Sequence, residues 1–232
     1  MTKSEVFLIP CPIAEDALDT LSPSILISVK QCKTFFVEDE RSARRFLKKI
    51  WREMVIDDYQ WFLIKSKDSV AQFKTALNEN RVIGIISEAG CPGVADPGQE
   101  LIAIAQDSKA KIHPLVGPSS ILLALMASGM NGQKFSFVGY LPIDTTNRIK
   151  ALRDLEAVSL RDKATQIFIE TPYRNNQVFQ SLLSTCSPKT RLCVAVDITG
   201  KEESIQTMTI TDWKKHIPEL HKKTVIFLIA AF

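Results

Sequence analysis

The segment of this sequence richest in chemistry is Ser87-Glu88-Ala89-Gly90-Cys91-Pro92-Gly93-Val94-Ala95-Asp96-Pro97-Gly98. Its three glycines and two prolines specify a tight loop of defined shape, in which bare backbone can approach a ligand. The loop follows Val82-Ile83-Gly84-Ile85-Ile86, a short β-branched run that reads as a buried parallel strand. Open α/β sheets bind ligands beyond the carboxyl ends of such strands. The phosphate-loop pattern G-x-x-x-x-G-K and the dinucleotide pattern G-x-G-x-x-G are both absent. Glu88 and Asp96 stand where a phosphate would want amide hydrogens or positive charge, so a ligand with a cationic or hydroxyl-rich part fits better. The plainer reading of the same residues is a constrained turn, with Asp96 starting the next helix.

Other strand ends carry candidate groups. His113-Pro114-Leu115-Val116-Gly117-Pro118-Ser119-Ser120 passes from a strand into a helix. The serine hydroxyls and free amides there can hold a carboxylate or carbonyl, or simply cap the helix. In Ile167-Phe168-Ile169-Glu170-Thr171-Pro172-Tyr173-Arg174, Glu170 follows an apolar run. Its carboxylate either orients an acceptor hydroxyl or a ribose, or pairs with Arg174 one helical turn on. Glu38-Asp39-Glu40-Arg41 ends a second strand and Asp197 ends a later one, so these acids are candidates by position. His113, inside a strand run, reads as packed, and His216 and His221 as solvated. The sequence contains no Ser-His-Asp, cysteine-histidine or clustered metal-ligand pattern, and no metal site is expected.

These groups need elements to hold them. Val6 to Ile9, Thr34 to Val37, Val82 to Ile86 and Ile112 to Val116 read as strands, alternating with helices at Ser22 to Lys30, Ser42 to Trp51 and Gln99 to Asp107. Ala43, Phe46, Leu47 and Ile50 mark one helix face, as do Val70, Phe73, Ala76 and Leu77. That alternation predicts an α/β unit with a mostly parallel sheet over residues 1–116. From 117 to 232, a helix at Ser120 to Ala127 precedes strands at Phe135 to Gly139, Thr165 to Ile169, Arg191 to Asp197, Ser204 to Thr209 and Thr224 to Ala230. Their closer spacing predicts a mixed sheet packed by two or three helices.

Composition excludes some classes. The 232 residues are 45% hydrophobic and 24% charged, ordinary for a folded protein, and a net charge of +3 does not mark a dedicated nucleic-acid binder. The densest basic run, Arg41 to Arg52, reads as a solvated helix face. Five scattered cysteines without C-x-x-C spacing argue against a disulfide framework. The apolar stretch near the start is too short to span a bilayer, and cytoplasmic residence is expected.

Taken in order, these segments resemble the tetrapyrrole methylase superfamily, whose members use S-adenosylmethionine. Within it they are most similar to the branch that methylates a cytidine ribose 2'-oxygen of small-subunit ribosomal RNA. The matching pieces are Phe7 to Ile13, Val37 to Arg41, Ser87 to Gly98, Gly117 to Ser120, Phe137 to Pro142 and Phe168 to Arg174. The resemblance implies a two-domain α/β fold with the cofactor folded in the cleft between domains. It assigns Pro10, Ser87, Glu88, Ala89, Gly90, Cys91, Ser119 and Ser120 to the cofactor, with Phe168, Ala195 or Val196, and Thr224 as an adenine-side wall. A homodimer and a ribosomal RNA or small-subunit partner are implied too. Glu38, Asp39 and Glu170 are the candidate bases. The chain departs from the branch at Ala14-Glu15-Asp16, Glu40, Glu88, Cys91 and Ala195-Val196-Asp197-Ile198-Thr199, the last losing an arginine and a glutamate. A methyltransferase for a tetrapyrrole or other small molecule, and a non-catalytic binder of cofactor or RNA, are the alternatives.

Overall fold

Val82–Ile86 is apolar on both sides because both its faces are covered. In the computed structural model, which describes residues 4–232, this run is β4, the central strand of a five-stranded parallel sheet. The others are β1 (Glu5–Ile9), β2 (Thr34–Val37), β3 (Gln60–Leu63) and β5 (Lys111–Pro114), in the order β3-β2-β4-β1-β5. Four helices cover it: α1 (Ser24–Val29), α2 (Glu40–Ile50), α3 (Ser69–Asn78) and α4 (Gln99–Asp107). Together these elements form a compact unit, Met1–Ser119, and the rest of the chain forms a second, Ser120–Phe232.

Alternation along each strand assigns the faces. On one side, Ile25 and Val29 of α1 and Ala43, Phe46 and Leu47 of α2 pack on Phe7, Ile9, Phe35 and Val37. On the other, Phe73, Ala76 and Leu77 of α3 and Leu101 and Ala105 of α4 pack on Val6, Phe36, Ile83 and Ile85. Right-handed crossovers that travel in opposite directions along a sheet must lie on opposite faces. The chain travels one way through α1 and α2 and back through α3 and α4. Neighbouring β2 and β4 therefore send their continuations to opposite faces, which leaves a crevice beyond their carboxyl ends.

Local chemistry explains where the element limits differ from those read in the sequence. α2 begins at Glu40 rather than Ser42, because the Asp39 carboxylate accepts the Ser42 amide at 2.7 Å and caps the helix. β3 carries no apolar alternation and was not visible. It is an edge strand held by aromatic stacking, Trp61 on Phe35 and Phe62 on Phe36, each with ring centroids 5.0 Å apart. The helix after the Gly/Pro-rich loop is capped at Gly98 and not started by Asp96.

The second unit is built on β6 (Phe135–Tyr140), β7 (Thr165–Ile169), β8 (Arg191–Val196), β9 (Ser204–Thr209) and β10 (Val225–Ala230), in the order β6-β7-β10-β8-β9. β6 is parallel to β7, and the remaining pairings are antiparallel, giving the mixed sheet expected. Four helices accompany it instead of two or three: α5 (Ser120–Ser128), α6 (Thr145–Asp162), α7 (Asn175–Thr185) and the single turn α8 (Ile210–Trp213). Leu152, Phe179, Leu182 and Trp213 from the last three join Phe168, Val194, Val196 and Phe227 in one core.

Gly84 sits where β4 meets the Phe35 ring. A Cβ there would lie 2.7 Å from Phe35 Cδ1 and 2.8 Å from Ile9 Cδ1. Gly84→Ala is expected to destabilise the chain by about 1–3 kcal/mol through overpacking. Urea unfolding checks this; an unchanged midpoint would show that the sheet centre is loosely packed.

Candidate functional site

The crevice of the first unit is assembled by backbone. Beyond β1, Cys11 and Gly90 exchange both main-chain hydrogen bonds, 2.9 Å for the Cys11 amide and 3.1 Å for the Gly90 amide. This ties the Pro10-Cys11-Pro12 turn to the Gly/Pro-rich loop. The Ser87 hydroxyl donates to the Gly90 carbonyl at 3.3 Å and holds the loop's entry. The turn after β5 closes on the same place: a Cβ at Gly117 would stand 2.2 Å from Pro10 Cβ, so only glycine permits this approach. Cys91 Sγ lies 3.4 Å from the Pro118 carbonyl. Pro10, Ser87, Gly90 and Cys91 are thus brought together, while Glu88 and Ala89 are exposed at the loop tip. Ser119 is half-buried at the end of this unit, and Ser120 begins α5 in the next.

Carboxylates ring the crevice. Glu38, at the end of β2, accepts from Lys65 Nζ at 2.7 Å, and Lys65 comes from just beyond β3. Glu88 accepts from the Ser42 hydroxyl at 3.4 Å. Asp96 is pushed up to about 6, first by burial and then by the negative charges of Glu38 and Glu88, with Lys65 acting the other way. Asp39, in contrast, is exposed and committed to capping α2, and the Ser42 hydrogen bonds lower its pKa. Lys65 carries no signal in the sequence, because β3, which positions it, shows no apolar alternation. Asp96 stands out in the sequence, but its convergence with Glu38 beyond β2 and with Glu88 in its own loop beyond β4 arises only on folding.

Beside the crevice lies a cavity of about 220 Å³. Ile13, Leu18 and Phe46 form its apolar side, and Asp39, Ser42 and Glu88 its polar side. Much of the basic run of α2 is occupied locally. Arg44 pairs with Glu40 and lies over the Trp61 ring, 5.2 Å from its centroid. Lys48 Nζ donates to the carbonyls of Arg52 and Met54, at 2.5 and 2.9 Å. Arg45 and Lys49 both reach Glu15, at 3.7 and 3.3 Å.

The candidates in the second unit gather at one end of its sheet. Ala195 pairs in register with Ile226, and Val196 with Val225, while the Asp197 amide donates to the Thr224 carbonyl at 3.0 Å. Phe168 is fully buried and stacks on Phe227 with centroids 5.7 Å apart, so its ring belongs to the core. Thr224 is exposed. Glu170 takes the pairing option: Oε1 accepts from the Thr171 amide at 2.6 Å and from Arg174 Nη2 at 2.5 Å. Its other oxygen, Oε2, is buried without a hydrogen-bond partner, as is Asn175 Oδ1 at the start of α7.

His113 stacks on Phe7 at 4.3 Å and meets Glu5 at 2.7 Å, which is the packed role read for it. Among the described residues, no group of three or more His, Cys, Asp or Glu is placed to hold a metal ion, and no helix is long and apolar enough to cross a membrane.

No family model matches the chain. A protein of Mesorhizobium japonicum named Ribosomal RNA small subunit methyltransferase I is 33% identical over 141 residues, which is 61% of this chain and 47% of that protein. The Vibrio cholerae protein of the same name is 33% identical over 130 residues, 56% of this chain and 44% of that one. The chain therefore spans about half the length of these curated relatives. The Streptococcus pyogenes protein of that name aligns over 99% of this chain and 77% of its own length at 25% identity. Among solved structures, the methyltransferase CobJ superposes with a TM-score of 0.64 at 17% identity, covering 99% of this chain and 94% of that one. A uroporphyrin-III-C-methyltransferase from Thermus thermophilus superposes at 0.55 and 14%, covering 98% and 92%. The chain is a sequence relative of the proteins named Ribosomal RNA small subunit methyltransferase I, and its α/β fold is that of tetrapyrrole methyltransferases.

Proposed function

We propose that this chain is an S-adenosylmethionine-dependent methyltransferase acting on a ribose 2'-hydroxyl of ribosomal RNA in the cytoplasm. One observation carries the reading: in a chain with relatives of that name, the crevice at the β2 and β4 ends joins bare backbone to three carboxylates. A sulfonium donor bears positive charge, and Glu38, Glu88 and Asp96 suit it as they would not suit a phosphate. S-Adenosylmethionine would supply an electrophilic methyl group to a nucleophile approaching in line with its carbon–sulfur bond.

The chain's own residues would do the rest. Within the first unit, Pro10, Ser87 to Cys91 and Ser119 would hold the donor, while the Phe168 ring, sealed in the core of the second unit, is not open to it. Fixing both reactants removes the entropic part of the barrier. Among the candidate bases, Asp39 is taken by its cap and Glu170 by Arg174. Glu38 is tied to Lys65, whereas Asp96 combines half-burial with a pKa of about 6, near the value that suits a general base. We therefore place Asp96 first and Glu38 second for accepting the hydroxyl proton. A cavity of about 220 Å³ falls below the roughly 300–1,000 Å³ that drug-sized ligands occupy, which favours one nucleoside over a tetrapyrrole.

Exposed apolar side chains support a homodimer. Phe135, Val138 and Tyr140 lie along the edge strand β6, and Leu122 and Met126 stand one turn apart on α5. Light scattering is expected to give twice the 26.0 kDa chain mass, and a monomer at micromolar concentration would refute the pairing.

Asp96 sets a pH dependence. With its carboxyl raised from 3.8 to about 6, the folded unliganded chain holds a proton that the unfolded chain releases, so stability falls as pH rises through this window. A cationic donor favours the ionised form. Its affinity should rise about tenfold from pH 5 to 7, and Asp96→Asn should abolish that rise in titration calorimetry. A flat profile in the unsubstituted protein would remove Asp96 from the donor site.

Transfer of labelled methyl to small ribosomal subunits lacking their native methylations tests the reaction itself. Label on a cytidine 2'-oxygen after nucleoside digestion is the expected result. Donor binding without transfer would instead support small-molecule acceptors or a non-catalytic binder.

A further inference from the structure

The contact between Glu15 and α2 is unexplained by the fold. Glu15 belongs to the turn after β1, in the stretch Ala14-Glu15-Asp16. A single oxygen, Oε1, meets Arg45 Nη1 at 3.7 Å and Lys49 Nζ at 3.3 Å. The two cations are four residues apart and so share one helix face. The Glu15 side chain is 71% exposed, and ion pairs this open to water are worth about 0–1 kcal/mol each. The bridge therefore adds little stability and separates easily. All three residues also line the 220 Å³ cavity.

The cavity changes chemistry from end to end. Arg45 and Lys49 supply two cations that already bind a carboxylate, the arrangement that would bind a phosphate oxygen. Ile13, Leu18 and Phe46 offer an apolar surface for a ring. Ser42 and Glu88 then present acceptors, which suit the amino group of cytosine and repel a phosphate. An anion, an apolar ring and hydrogen-bond donors, in a space for one residue, describe a nucleotide.

We propose that this cavity receives the acceptor nucleotide of a single-stranded RNA, and that Glu15 occupies the phosphate position until RNA displaces it. Glu88 belongs to both the cavity wall and the loop assigned to the donor, so a nucleotide seated here lies next to that loop. Glu15 is then a specificity element. It screens Arg45 and Lys49 from stray anions and yields only to an RNA whose other contacts offset the exchange.

The proposal rests on the RNA reading, and the test separates the two. Methyl transfer to under-methylated small subunits is measured for the full chain, Glu15→Gln and the pair Arg45→Gln with Lys49→Gln, alongside donor affinity by calorimetry. Glu15→Gln is expected to lower the KM for subunits by about two- to tenfold. The double variant should raise it at least tenfold and flatten the plot of log affinity against log salt by about one to two. Donor affinity should stay within about twofold in all three. If the unsubstituted chain methylates RNA but both variants keep its KM and salt slope, the pocket assignment is overturned while the RNA reading stands. If the unsubstituted chain binds donor and methylates no RNA, both fall together.

Discussion

Two neighbouring parallel strands whose continuations leave to opposite faces cannot close over their own carboxyl ends, and the first unit depends on that constraint. β2 departs into α2 and β4 departs toward α4, so the space beyond them is walled by backbone that has nowhere else to go. Everything placed there inherits the geometry of the sheet. Glu38, Ser87 and Glu88 are fixed by strand ends, Asp96 by the loop that follows, and the Cys11–Gly90 bridge prevents the β1 turn from drifting away. Gly84 contributes from below: the absent side chain lets Phe35 lie across the central strand, which keeps β2 and β4 in register.

Much of this was legible because the relevant signals are local. Continuous β-branched runs at Val82–Ile86 and the 3,4 spacing of Phe73, Ala76 and Leu77 report burial directly, and the observed elements fall where those patterns lie. Closely spaced strands after residue 190 likewise pointed to the antiparallel pairings of β8, β9 and β10. β3 was hidden because an edge strand half-open to water needs no alternation, and its aromatic stacking partners are distant in sequence. The site was legible as a set of segments and not as a constellation. Glu38 and Glu88 were noted separately, and Lys65 carried no signal. Nothing in the sequence distinguished Asp39, whose carboxylate is spent on a helix end, from Asp96, whose carboxylate is not. That distinction arises from charges that only folding brings near one another.

The crevice and the cavity beside it carry opposite electrostatics within a few residues of α2. The amino end of the helix presents Asp39 and Ser42 toward the acids, and one to two turns later the same helix presents Arg45 and Lys49. A single element thus grades the field from negative to positive along its length. The neighbouring arginine and lysine side chains are withdrawn into local work, Arg44 over Trp61 and Lys48 on the carbonyls that follow the helix. A formal net charge of +3 therefore conveys little about what the surface offers, because the local sign is set by which charges are already engaged.

The same acids bear on the two sulfur atoms nearest to them. Cys11 is pushed up to about 12 by burial, then by Asp96 and Glu88, and the half-buried Cys91 is raised by burial and Asp96. Sulfur attacks alkylating agents as thiolate and hardly at all as thiol. A site proposed to hold an electrophilic methyl group beside two cysteines would otherwise risk spending that group on itself. Burial, reinforced by the carboxylates that make the crevice welcoming to a cation, holds these sulfurs in the protonated form that reacts least with such a group.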